Sequence, residues 1–163
     1  MRLRIARPGD LGAVDALLSR AYPALLKADY PPSVLVTALP LISRANPSLM
    51  RSGSYWLAEE DGRLLGAGGW TAASPVAGQG GRGIAHVRHL VTDPAHLRRG
   101  IARALMDAAT AQAREAGARG MAAMSTRTAV PFYAALGFER IEEAEVPLRP
   151  GIAFPAVRMA RRL

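Results

Sequence analysis

The sequence predicts a mixed α/β domain, with a central, mostly antiparallel sheet of six to seven strands flanked by about four helices. Three observations point there. Short strand-like runs recur along the whole chain, and the middle carries a hairpin closed by Asp61-Gly62. Between residues 84 and 125 the order strand, helix, strand calls for a crossover and a parallel pair. The chain's 163 residues match one domain of about 150 residues, so a single domain spanning 1–163 is expected.

Each element follows in turn. Leu3-Arg4-Ile5-Ala6 alternates and stops at Pro8-Gly9, which reads as a first strand. Asp10 stands at the cap of a helix whose apolar residues Leu11, Val14, Leu17, Leu18 and Ala21 keep helical spacing, and Tyr22-Pro23 is expected to end it. A second helix runs from Pro32 to Ile42, with Pro40 marking a kink or an end, and Asn46-Pro47-Ser48 starts a short turn. Ser54–Glu59 and Arg63–Thr71 are the arms of the hairpin; 72–83 is an aperiodic loop; Ile84–Thr92 is a strand closed by Asp93-Pro94.

From Arg99 to Ala116 the pattern is helical. Arg103, Asp107, Thr110 and Arg114 lie on a polar stripe, with Ile101, Leu105, Ala108, Ala109 and Ala116 opposite, and Gly117 is a left-handed cap. Met121–Ser125 is a buried strand, Val130–Leu136 a short helix ended by Gly137, and Phe138–Val146 and Ile152–Met159 are the last two strands.

Composition narrows the chemistry. No apolar run approaches the ~20 residues that span a bilayer, and the start alternates charged and apolar residues, so a cytoplasmic location without membrane contact is the default expectation. The absence of cysteine excludes disulfides, thiolate metal sites and an acyl-cysteine intermediate. The formal charge of +8 suggests an anionic partner, but the only lysine is Lys27 and the arginines are spread over the chain, so nucleic acid is not required.

Gly78-Gln79-Gly80-Gly81-Arg82-Gly83 matches a dinucleotide fingerprint by letter only. It precedes a strand, whereas the chemistry needs a strand before it and a helix after it. The segment Asp93–Ala102 is more informative. Its helix starts without a Ser, Thr, Asp or Asn near the first turn, and Arg98, Arg99 and Arg103 crowd the positive end of the helix dipole. A bound polyanion removes both defects, with Gly100 allowing close approach; the alternative is a solvated, slightly strained helix start.

The run from His86 to Asp107 resembles the acetyl-CoA-binding motif of the GNAT superfamily of N-acetyltransferases. The family pattern of Gln or Arg, two residues, Gly, one residue, then Gly or Ala reads here as Leu97, Arg98-Arg99, Gly100, Ile101, Ala102, with Leu97 in place of Gln or Arg. A second block, Thr126 to Phe138, is similar to the late family segment in which Phe-Tyr precedes Leu-Gly-Phe; Thr126 stands where many members have Asn.

The resemblance implies a GNAT-like fold with a splayed parallel pair, acetyl-CoA as co-substrate and no metal. It implies transfer of an acetyl group to a primary amine, direct and within a ternary complex. Leu90, Val91 and Thr92 would meet the pantetheine arm and thioester, Leu97, Arg98, Arg99, Gly100, Ile101 and Ala102 the pyrophosphate, and Thr126 the cofactor arm. Tyr133 matches the tyrosine that protonates or hydrogen-bonds the thiolate, with a core aromatic as the alternative, and His86 falls where several members carry a Glu base, with a water chain or solvent as the rival base. Histidine accepts protons near neutrality. Strand alternation sets His86 with Arg88, Leu90 and Thr92 and turns His89 away, which favours His86 and rules out a shared metal site.

The resemblance implies a small-molecule or peptide amine as acceptor, with Tyr22, Tyr30, Trp70 and Phe154 as pocket residues or packing; a homodimer is left open. Two rival classes stand beside this reading: an acyl-CoA sensor without turnover, and a basic nucleic-acid binder, which the scarcity of aromatics disfavours.

Overall fold

A computed structural model describes residues 1–76 and 81–163. Among these are seven strands: β1 (Arg2–Ile5), β2 (Tyr55–Glu60), β3 (Arg63–Thr71), β4 (Ile84–Thr92), β5 (Gly120–Ser125), β6 (Glu139–Arg149) and β7 (Ile152–Arg162). The helices are α1 (Leu11–Leu26), α2 (Pro32–Ile42), α3 (Pro47–Met50), α4 (Ile101–Glu115) and α5 (Val130–Ala135). The strands make one sheet in the order β1-β2-β3-β4-β5-β7-β6, in which only β4 and β5 are parallel. This is the predicted mixed architecture.

The β2–β3 hairpin turns on Asp61 and Gly62, both at positive φ (51° and 74°), the backbone that Asp-Gly favours. Helices cover both faces of the sheet. Leu57 packs with Val14, Leu17 and Leu18 of α1, while its neighbour Ala58 packs with Ile101 and Leu105 of α4. At the far edge Phe154 meets Leu35 and Ala38 of α2, and Val157 and Met159 meet the α4–α5 side. α4 sits close because β3 has glycine beneath it: a Cβ on Gly66 would stand 2.7 Å from Ile101 Cγ2.

Four local expectations are corrected. Pro23 does not end α1, which continues to Leu26. A proline inside a helix costs about 3 kcal/mol. Burial of Leu26, at about 1.5–3 kcal/mol, with Tyr22 and Leu25 packed alongside, offsets that. Asp10 stands at the helix start, but its carboxylate accepts from Arg4 and from the Arg7 N–H instead of capping α1. On α4, Thr110 is buried against Met121 and Ala116 is exposed, because the buried stripe runs through Met106 and Ala113. Finally, regular alternation fails in β4 at His89, as described below. The glycine run 78–83 lies partly outside the described residues; Gly81 to Gly83 lead into β4, as expected.

Candidate active site

β4 is held by β5 only along Ile84–His86, which pair with Gly120–Ala122. Beyond that the two strands part, and a cleft of about 250 Å³ opens between Val87–Thr92 and Ala123–Thr126. The backbone edges of the parted segments are free to serve a ligand instead of each other.

The cleft brings together most of the predicted site. Leu90, Val91, Thr92, Leu97, Ala102, Thr126 and Tyr133 all line it. Arg98, Arg99, Gly100 and Ile101 do not line it but form the adjoining start of α4. Gly100 is the N-cap at φ 77°, has no side-chain cap bond, and accepts at its carbonyl from the Ala104 N–H. The first N–H groups of α4 therefore have no intrahelical acceptor. Arg98 is also left-handed (φ 60°), and Ile101 is packed into the core, so only its backbone faces this corner. Arg99 bonds His96 Nδ1 at 2.9 Å and Glu60 at 2.8 Å. Thr126 Oγ1 receives the Ala129 N–H at 3.2 Å and so supports the start of α5.

Tyr133 is seated by edge-on contacts with Phe132 and Phe138, with ring centroids 5.3 and 5.2 Å away. Burial, and secondarily the Tyr22 phenol, push its hydroxyl well above the usual tyrosine range, which keeps it protonated at neutral pH. Burial pushes the Tyr22 phenol up to about 12.

The register of β3 on β4 shifts between Ala67 and Gly69, with Val91 and Arg88 as their partners, so β4 carries one extra residue. His89 takes φ 42°, and the buried Tyr55 hydroxyl donates to its carbonyl at 2.8 Å. This bulge overturns the alternation expected for β4. Arg88 and His89 are consecutive, yet both line a second cavity of about 330 Å³. That cavity meets the cleft at Tyr22, Val87, His89, Met124 and Thr126. His86, by contrast, lines a third cavity bounded by Ser74, Met124 and Arg158, and its buried Nε2 has no hydrogen-bond partner among the described residues. Burial, then Arg88, lowers the pKa of both histidines, that of His89 to about 4.

Of the aromatic residues named from sequence, Tyr22 and Phe154 line the second cavity. Tyr30 is structural: its hydroxyl donates to the Pro155 carbonyl and accepts from the Arg127 N–H. Trp70 donates to Gln112 on the α4 side. Sequence reasoning passed over Arg88 as a site residue; its signal was a charge in the interior of an otherwise apolar strand.

A parallel pair that parts beside an uncapped, glycine-started helix is the arrangement that the resemblance to acetyl-CoA-dependent N-acetyltransferases implies. The family model for the acetyltransferase (GNAT) domain matches residues 51–140, and the chain belongs to that family of acetyltransferases. Solved structures agree in fold. A GCN5-related N-acetyltransferase (aminotransferase, class II) from Rhodopseudomonas palustris superimposes with TM-score 0.80 at 20% identity, over 99% of this chain and 95% of that one. The PaiA N-acetyltransferase from Thermoplasma acidophilum, solved in complex with coenzyme A, gives 0.76 at 13% identity over 99% and 98%. A ribosomal-protein-alanine N-acetyltransferase from Brucella melitensis gives 0.68 at 17% over the full length of both chains. A search of curated proteins finds no match. Among the described residues, no helix is long and apolar enough to cross a membrane.

Proposed function

We propose that the protein transfers the acetyl group of acetyl-CoA directly to a primary amine within a ternary complex. The observation that carries this is the junction of two cavities at His89, one bounded by the parted strands and Tyr133, the other opening to the face under α2. Each reactant has its own entrance, and they meet at one place.

The residues present fit the cofactor. The α4 start offers free N–H groups beneath Gly100, and Arg98 and Arg99 stand beside it for a pyrophosphate. The cleft is a slot between two strand edges, suited to an amide-bearing arm that pairs with Leu90, Val91 and Thr92. Bound acetyl-CoA supplies an activated thioester: the amine nitrogen forms the new C–N bond, the C–S bond breaks, nitrogen loses one proton and the thiolate gains one.

Tyr133, held protonated by burial, donates a proton to the sulfur and regains one from the nitrogen as the neutral amine becomes the amide. The expectation for the base was His86. The geometry favours His89 as the group touching the amine, since it lines both cavities and is neutral at pH 7. With its pKa near 4 it accepts a hydrogen bond and orients the nitrogen, while the ammonium proton passes to water. Among the described residues no cluster of metal-ligating groups is present, and no step assigned here uses one.

Calorimetric titration with acetyl-CoA at two salt concentrations tests the reading. One site per chain, followed by thiol release with an amine, is expected. Binding without release for any amine would leave a sensor, and no binding would remove the transferase altogether.

A further inference from the structure

We propose that the acceptor is a free amino acid with an apolar side chain, and that Arg88 is the specificity-determining residue that receives its carboxylate. This rests on the acetyl-transfer reading above and narrows the class of amine.

Arg88 is a partly buried guanidinium without an acidic partner. Its Nη1 donates to Thr71 Oγ1 at 3.1 Å, and no described residue accepts from Nε or Nη2. Among the described residues no carboxylate forms an ion pair with it. The contrast is Arg4 on the same sheet, whose guanidinium is matched by both Asp10 and Glu59. Desolvating a cation with one neutral partner is unfavourable, and the cost is recovered when a planar anion meets the open Nε–Nη2 edge. Burial already depresses the pKa of Arg88, which marks the same deficit.

The bulge gives Arg88 its neighbour. In regular strand, consecutive side chains point to opposite faces; at this bulge, where His89 adopts φ 42°, Arg88 and His89 line one cavity. A cation and a neutral imidazole thus stand side by side where the acceptor meets the cofactor cleft. An α-amino acid carries the complementary pair on one carbon, a carboxylate for Arg88 and an amine for His89. The rest of the cavity is mostly apolar, with Leu41, Ile42, Leu148 and Phe154 among its walls and Tyr22 and Thr126 at its junction with the cleft, which suits an apolar side chain. A diamine or polyamine would bring a second ammonium toward Arg88, and like charges repel.

The test uses the whole protein. Calorimetry with acetyl-CoA comes first, because it reports the cofactor site without reference to the acceptor. Leucine, methionine and phenylalanine are then each offered as free acid, primary amide and decarboxylated amine, with thiol release as the readout. At least one free acid is expected to show kcat/KM about tenfold or more above its amide and amine. Arg88→Gln should bring that ratio close to one through KM, with acetyl-CoA affinity unchanged. Independently of turnover, adding the N-acetyl amino acid to the CoA complex should raise the Tm above that with CoA alone in the wild type and not in Arg88→Gln.

Acetyl-CoA binding combined with equal or better use of amides, amines or peptide N-termini overturns this proposal alone, and that comparison needs no variant. So does a free-acid preference that survives Arg88→Gln. Failure to bind acetyl-CoA overturns both readings.

Discussion

The two halves of β4 are made from the same kind of sequence and do opposite things. Ile84–His86 is paired with β5 throughout and with β3 as well at His86, and its Ala85 is fully buried under α4. Val87–Thr92 keeps β3 on one side, loses β5 on the other, and carries a bulge at its middle. Where both edges are paired, backbone polar groups are consumed by the sheet; where one edge is released, they become recognition groups. The difference teaches that this site is made by withdrawing a strand partner, with few added side chains.

That comparison can be broken by substitutions on each half. Tyr133→Phe, at the released half, should lower kcat by about 10²–10⁴-fold while acetyl-CoA affinity measured by calorimetry stays unchanged. An unaltered kcat would remove the acid role from Tyr133. On the paired half, Met121→Ala empties core space next to Ala85 and Met106 and should cost about 2–5 kcal/mol in a urea melt, with acetyl-CoA affinity of the folded protein retained. If the affinity collapsed with the stability, the two halves would not be separable.

Arg99→Glu combined with Gly100→Asp attacks the helix start. It replaces cationic and left-handed groups with acidic side chains, so acetyl-CoA affinity should fall by about 10–100-fold or more in a protein with normal circular dichroism. Smaller still is the split between the histidines. His89→Ala is expected to lower kcat/KM for the acceptor by about tenfold, the scale of one lost hydrogen bond, and His86→Ala by less. The reverse order would restore His86 as the proton acceptor first expected from sequence.

The smallest effect is on acid stability. Burial lowers the His89 pKa to about 4, and the Arg4 guanidinium lowers that of Asp10 to about 2. In both cases the unfolded chain binds the proton first, so stability falls with pH. The His89 contribution is present above about pH 6.5 and is lost progressively toward pH 4. That of Asp10 is present above 3.8 and is lost toward pH 2. Urea midpoints measured from pH 7 to 3 should decline in the first window, and His89→Gln should flatten it.

Much of this was legible in the residues. Asp61-Gly62 fixed its own turn, Gly117 and Gly137 ended their helices at positive φ, and the strand at Ile84–Thr92 fell where alternation and Asp93-Pro94 put it. The uncapped start at Gly100 was readable because caps are local. Less was readable wherever a partner from far along the chain intervened. Pro23 stays helical because Leu26 reaches Leu35 and Phe154. The Asp10 carboxylate serves Arg4, which also reaches Glu59 across the sheet.

The sequence by itself determined the class of fold, the family and the elements that carry the residues proposed for the cofactor, since these depend on spacings within a turn or two. Only the tertiary structure decided which side of β4 its middle residues serve. Alternation is a rule about neighbours along one strand, and a single extra residue reverses it. The Tyr55 hydroxyl, 34 positions away, binds the His89 carbonyl at that extra residue, so the pairing of Arg88 with His89 exists only once β2, β3 and β4 have come together.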